Sequence, residues 1–246
     1  MTGLSFTLPD GTRRTVTVKR LLNAGYAGRS QEDVAAHVAE LAELGVPAPS
    51  TTPALYPVSP YLAQQTAEVP VQHRKTSGEA EWALVVDDTG ELLLTAACDH
   101  TDRELETYGV AWSKNAAPDV LATSAWRLDD VAGRLDTLTL RAWVSGGDGD
   151  SGAGGSGAGG SGAGGSGEQL IQDGTAAELL TPHHWAEVLR ERGELEPGTV
   201  LISGTIPMLQ GVDQFAAHWR VQLADPATGD EISLAYHVVP MPEPIG

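Results

Sequence analysis

The chain has 246 residues, with 33 acidic against 15 basic side chains, a formal charge of −18, and 41% apolar but only 5% aromatic residues. That length can bury a core without staples. The acidic excess excludes a phosphate-backbone partner, which needs clustered Lys and Arg, and disfavours an anionic membrane surface for the same reason.

No apolar run approaches the roughly 18 residues of a membrane span. The first six residues, Met1 to Phe6, have neither the basic nor the apolar region of a secretory signal. The single cysteine, Cys98, cannot form an internal disulfide, which fits a reducing, cytoplasmic setting.

In chain order, Thr15–Val18 reads as a strand. Residues 30–45 read as a helix, capped by Ser30 and striped by Val34, Val38, Leu41 and Leu44. Glu81–Val86 and Leu92–Ala97 form a pair of strands around a turn at Asp87–Gly90. Leu138–Val144 alternates with period two, and Gln169–Gln172 resumes a strand pattern. Between them, residues 146–167 repeat the unit Ser-Gly-Ala-Gly-Gly and hold 13 of the 29 glycines. Such a stretch has almost no side chain to bury and is expected to be a disordered loop, stretching the turn of a hairpin. A second helix is expected over 182–192, with Thr181 as its cap and Pro182 at its first position. Thr199–Ile202, Arg220–Leu223 and Ile232–Val239 complete the strands. Strands outnumber helices without regular alternation, so the expected class is α+β, mainly β.

The chemistry concentrates between Thr76 and Glu104. On a strand, Glu79 and Glu81 are two apart and point to one face. The strand that follows carries the chain back and delivers Asp99 at its end. Three converging carboxylates repel one another unless a cation neutralises them, and hard oxygen ligands suit Mg²⁺, Mn²⁺ or Ca²⁺. The bland alternative is that both glutamates line the solvated face of an edge strand. Cys98 reads as a packed thiol, and His100 and Asp102 as residues of a tight turn that bond behind the ligands. His37 shares the stripe of Val34 and Leu41, which leaves a partly buried structural histidine open beside a catalytic one.

The order Glu79-Ala80-Glu81, Asp99-His100-Thr101-Asp102-Arg103, then Lys114, resembles the fumarylacetoacetase (fumarylacetoacetate hydrolase) superfamily. So do Gly25-Tyr26-Ala27-Gly28-Arg29 followed by His37-Val38-Ala39-Glu40, which is similar to the family's lid, and Pro53-Ala54-Leu55-Tyr56. Trp143-Val144 with Ile171-Gln172-Asp173-Gly174-Thr175 matches the family hairpin, and Leu195 to Pro207 resembles the segment ending in Thr-Gly-Thr-Pro. The chain departs from the family at Pro57-Val58, where a Lys is common, and at Asn115 to Asp119, which replaces a Phe-Asp segment; it resembles a divergent branch.

The resemblance implies a mixed β-sandwich roll, with residues 1–65 giving N-terminal strands and the helical lid, residues 66–246 giving the catalytic roll, and the two forming one compact unit. It implies a homodimer that acts on a small anionic substrate and binds Mg²⁺ through Glu79, Glu81 and Asp99. The implied activity is hydrolysis of a carbon–carbon bond in an acylpyruvate-like β-diketo or 2-oxo acid. His37 would activate water, Glu40 would orient the imidazole, and Lys114 would offset anionic charge. Arg29, Tyr56, Arg103, Gly204 and Thr205 are candidate substrate contacts, Arg29 as a carboxylate clamp and Arg103 as the residue that orders the acidic trio. A 2-oxo acid decarboxylase, an enol–keto isomerase, and a non-catalytic binding member of the fold are the competing expectations.

Overall fold

The computed structural model describes residues 2–43, 45–46, 48–146 and 167–245, apart from the side chains of residues 37, 40 and 41. The Gly-rich stretch expected to be a loop thus lies almost wholly outside the described residues. Fifteen strands are found among the described residues. In chain order they are β1 (Gly3–Thr7), β2 (Arg13–Thr17), β3 (Arg20–Gly25), β4 (Ala54–Val58), β5 (Ala63–Gln64), β6 (Glu68–Val71), β7 (Thr76–Val86), β8 (Leu92–Asp102), β9 (Asp119–Leu121), β10 (Trp126–Arg127), β11 (Thr139–Ser145), β12 (Gln169–Thr175), β13 (Thr199–Ile202), β14 (His218–Asp225) and β15 (Asp230–Pro240). The α-helices are α1 (Gln31–Glu43), the single turns α2 (Arg103–Glu106), α3 (Val110–Ser113) and α4 (Leu128–Val131), and α5 (Pro182–Glu191).

Both long helices begin where capping chemistry places them. Ser30 Oγ accepts the Asp33 N–H at 3.2 Å before α1. Thr181 Oγ1 accepts the His184 N–H at 3.1 Å, with Pro182 opening α5. At the β7–β8 turn, Asp87 Oδ1 accepts the N–H groups of Thr89 and Glu91, a local carboxylate bond of the kind that favours Asp in turns.

The strands form an eight-stranded sheet in the order β4-β3-β13-β7-β8-β9-β5, with β10 paired to β8, and a five-stranded sheet in the order β12-β11-β14-β15-β6. The ribbon β1–β2 stands apart as a third piece. Strand β3 lies parallel to β13, so β3 and β4 belong to the same sheet as β7, β8 and β13.

Alternation along β7 assigns its two faces. Ala80, Trp82 and Leu84 join Cys98 of β8 in a buried layer against Leu140, Ala142, Trp219, Val221 and Tyr236 of the five-stranded sheet. The other parity, Ala83 and Val85, packs with Leu4, Phe6 and Val16 of the ribbon. The ribbon covers only the later half of that face; towards the start of β7 the same parity carries Glu81 and Glu79. The large sheet is curled, because Asn23 Nδ2 of β3 donates to Asp119 Oδ1 of β9 at 3.2 Å, although three strands lie between them. The concave side of that curl holds the acidic residues.

The expected tight turn at His100 and Asp102 is instead the end of β8, which pairs with β7 as far as Thr76↔Asp102. His100 faces the inter-sheet layer, its Nδ1 2.8 Å from Tyr236 Oη and its Nε2 2.9 Å from Thr76 Oγ1. Burial, with the Arg103 charge adding to it, lowers its pKa to about 3. The unfolded chain takes up that proton near pH 6.5 and the folded one does not, so the stability His100 contributes is present above pH 6.5 and is lost as pH falls towards 3. Denaturant unfolding of the native protein should lose about 2 kcal/mol from this group between pH 7 and pH 5. His100→Gln should remove that part of the slope; an unchanged slope would mean the folded protein holds the imidazole charged.

Candidate metal centre

The registers of β7 and β8 assemble the centre. Glu79 stands directly opposite Asp99, and Glu81 opposite Ala97, so all three acids share one face. One carboxylate oxygen from each of Glu79, Glu81 and Asp99 lies within 4.8 Å of the others. Two sequence-based details are corrected. Asp99 is not at a strand end but within β8, and β7 is a central strand flanked by β13 and β8, so the edge-strand alternative falls. Glu81 and Asp99 are wholly buried, and Glu79 nearly so.

Each acid is held by a different element. Glu81 Oε2 accepts the Gly204 N–H at 2.6 Å, where the chain leaves β13 with Gly204 at φ +84°. A side chain there would be strained, and its Cβ would sit 3.1 Å from the Ala24 carbonyl oxygen. Thr205 Oγ1 donates to the Ala80 carbonyl at 2.9 Å and accepts from Gln172 Nε2 at 2.7 Å. Gly204 and Thr205 both line the acidic pocket. Thr101 Oγ1 donates to Asp99 Oδ1 at 3.2 Å.

Lys114, at the end of α3, is buried, contacts Asp99 through Nζ and lies 3.7 Å from Glu79 Oε2. Burial alone would lower its pKa, but Asp99, Glu79 and Glu81 outweigh that and hold it protonated. Burial, with Asp99 and Glu79 adding, drives the Glu81 carboxyl well above the usual range against the pull of Lys114.

Arg103 is not free to grip a substrate. Its Nη2 meets Glu79 Oε1 at 2.8 Å, Nη1 meets Glu106 Oε2 at 3.0 Å, and Nε donates to Ser77 Oγ at 2.7 Å. Its geometry is that of a brace ordering Glu79. Arg29 is corrected outright. Its guanidinium forms a two-point bridge to Asp136 at 2.8 and 3.0 Å and donates to the Leu179 carbonyl, away from the acidic pocket. Tyr56 does not line that pocket; its half-buried ring covers Gly25, which does. His37 and Glu40 fall on α1, but their side chains lie outside the described residues.

Several residues in or beside the centre escaped the sequence. Asp119 of β9 pairs with Asp99 in register, extending the acidic row to a third strand. Burial and then Asp99 raise its pKa, which favours the neutral acid. The signal was the short run Asp119-Val120-Leu121, too brief to read as a strand. Glu106 sits three residues after Arg103, a spacing that places an ion pair on one helical turn. Tyr26 lines the pocket with φ 55°, rare for a residue with a side chain, and burial raises its hydroxyl pKa to about 12.

A hard divalent cation fits these residues. The donors are all carboxylate oxygens, and buried Glu81 Oε1 has no hydrogen-bond partner, an arrangement that costs free energy unless something positive meets it. Burial and then repulsion drive the Glu81 carboxyl up, and a divalent ion among Glu79, Glu81 and Asp99 would offset that repulsion.

Comparison with known proteins follows the same lines. The family model described as Protein of unknown function (DUF2848) matches residues 24–157 and 161–236, and the chain belongs to that family. No curated protein matches the sequence. Among solved structures, a hexagonal crystal form of 2-keto-3-deoxyarabinonate dehydratase aligns with TM-score 0.57 and 14% identity over 94% of this chain and 78% of that one. The 2-keto-3-deoxy-D-arabinonate dehydratase complexed with magnesium and 2,5-dioxopentanoate aligns with TM-score 0.55 and 15% identity, over 94% and 77%. Its apo form gives 0.57 and 14%, over 94% and 77%. The fold is therefore the mainly β, α+β roll of the fumarylacetoacetase type. Among the described residues, no helix is long and apolar enough to cross a membrane.

Proposed function

We propose that this member of the family is a magnesium-dependent enzyme of the fumarylacetoacetase superfamily that hydrolyses a carbon–carbon bond in a small, acylpyruvate-like β-diketo or 2-oxo acid. The observation that carries the reading is the buried trio Glu79, Glu81 and Asp99, gathered within 4.8 Å with one glutamate oxygen unpartnered. These three would hold the ion. Bound there, Mg²⁺ supplies Lewis-acid polarisation of the carboxylate and keto oxygens of a 2-oxo acid.

The other roles fall to the chain itself. Lys114 keeps a proton on Nζ between Asp99 and Glu79 and offsets negative charge as it builds on the substrate. The Gly204 N–H and the Arg103 guanidinium fix Glu81 and Glu79, so neither carboxylate must reorganise during the reaction. His37 on α1 would take the proton of the attacking water, with Glu40, one turn along, orienting the imidazole.

A second reading is favoured by one comparison. A structural neighbour binds magnesium with 2,5-dioxopentanoate and is a dehydratase. Dehydration, like decarboxylation or enol–keto isomerisation, needs the polarised 2-oxo acid but no attacking water. His37→Ala separates the two classes: it should abolish hydrolysis of an acylpyruvate and spare the water-independent reactions. The shared premise is tested by calorimetry with oxalate and pyruvate. Both should bind in the presence of Mg²⁺ and release on EDTA addition, and binding unaffected by EDTA would sink the proposal.

A further inference from the structure

Two pockets meet at Tyr26. The one that holds Glu79, Glu81 and Lys114 has a volume of about 70 Å³. The other, about 500 Å³, opens between the first turn of α1 and the 177–178 segment, and its size is that of a site for a small organic ligand. Continuous stretches of chain wall both. Residues 24–26 border the acidic pocket, while Tyr26, residues 28–30, Asp33 and Val34 border the larger one, and Gly204 and Thr205 of the first stand just before Pro207 of the second.

The larger pocket has no spare positive charge. Arg29 is its one cation among the described lining residues, and that guanidinium is already bridged to Asp136 and bonded to the Leu179 carbonyl. Glu178 accepts the Thr175 N–H through Oε1, and Asp33 adds a further acid. Val34, Ala177, Pro207 and the Tyr26 ring supply carbon surface.

We propose that this second cavity receives the far end of the substrate, which makes the substrate class a 2-oxo acid bearing an uncharged, largely apolar extension of several carbons. The inference rests on the metal-centre reading above. A head group chelated at the trio would occupy the smaller pocket, and Tyr26, which lines both, makes the larger cavity the neighbouring space for a longer substrate. A second carboxylate would arrive there beside the exposed acids Asp33 and Glu178 with no uncommitted cation to meet it, so like charges oppose it. An alkyl chain instead gains from leaving water.

The test is a binding series on the Mg²⁺-loaded protein by calorimetry, running from oxalate and pyruvate through 2-oxobutanoate and 2-oxohexanoate to 2-oxooctanoate, with 2-oxoglutarate as the charged comparison. Affinity should rise about threefold per added methylene, and 2-oxoglutarate should bind no more tightly than pyruvate. Ala177→Trp, which fills the cavity, should weaken 2-oxooctanoate at least about tenfold while leaving oxalate and pyruvate within twofold. A flat series in the native protein, or tighter binding of 2-oxoglutarate than of 2-oxohexanoate, overturns this inference and leaves the metal-centre reading standing. Failure of every acid to bind, oxalate included, overturns both.

Discussion

Glu81→Gln should lower Mg²⁺ affinity by at least about 100-fold and take turnover to background, while the metal-free protein melts no lower than the native one, and by the electrostatic argument slightly higher. The two effects have opposite signs for one reason. Glu81 is wholly buried, and burial has raised its carboxyl well above the ordinary range, so its charge is a liability to the fold until a cation arrives. An amide of the same shape keeps an oxygen to accept the Gly204 N–H and removes the buried charge. Loss of binding with retained or raised stability would assign Glu81 to the ion rather than to the core. Native Mg²⁺ affinity in the variant, measured by calorimetry, would remove the residue from the ligand set.

The largest stability effect is expected at Gly78, the position between Ser77 and Glu79 that faces the layer between the sheets. A Cβ there would meet Tyr236 Oη at 2.6 Å, Cys98 Sγ at 2.7 Å and Trp219 Cδ2 at 2.7 Å, all far inside contact distance. These neighbours are buried and tied together: Tyr236 Oη is 3.2 Å from Cys98 Sγ and 2.8 Å from His100 Nδ1. They can yield only by moving the sheets apart. Gly78→Ala should cost about 3 kcal/mol, or roughly 6–12 °C in melting temperature for a chain of this size. Because Glu79 is the next residue on β7, Mg²⁺ affinity should drop with stability, unlike in Glu81→Gln. A melting temperature within a degree of native would show that the layer has slack not visible in the packing.

Part of the centre was legible because strand periodicity is a local property. Glu79 and Glu81 needed only an extended backbone to share a face, and the register of β7 with β8 then supplied Asp99. The strand bounds were drawn short, at Glu81 and Ala97, because the polar flanks Thr76–Gly78 and His100–Asp102 look like loop when solvent is assumed outside. Both are strand because the second sheet covers one face and the curl of the first encloses the other. Asp119 and Tyr26 depend on which strands the curl brings together, which no local pattern encodes. Arg29 was misassigned for a related reason: a lone arginine after a glycine looks like a clamp until its partner, Asp136, more than a hundred positions away, is known. The helices were readable from Ser30, Thr181 and Pro182, whose capping chemistry is complete within one turn.

The two hairpins place opposite demands on chain length. Between β7 and β8 a single inserted residue would shift the ladder by one, send Asp99 into the apolar layer and bring Cys98 across from Glu79. Between β11 and β12 the chain carries residues 146–168, and the paired strands still keep their register on either side apart from one bulge. Relatives of this protein should therefore vary freely in size at the second turn and hardly at all at the first. A reporter peptide or purification tag belongs at the second.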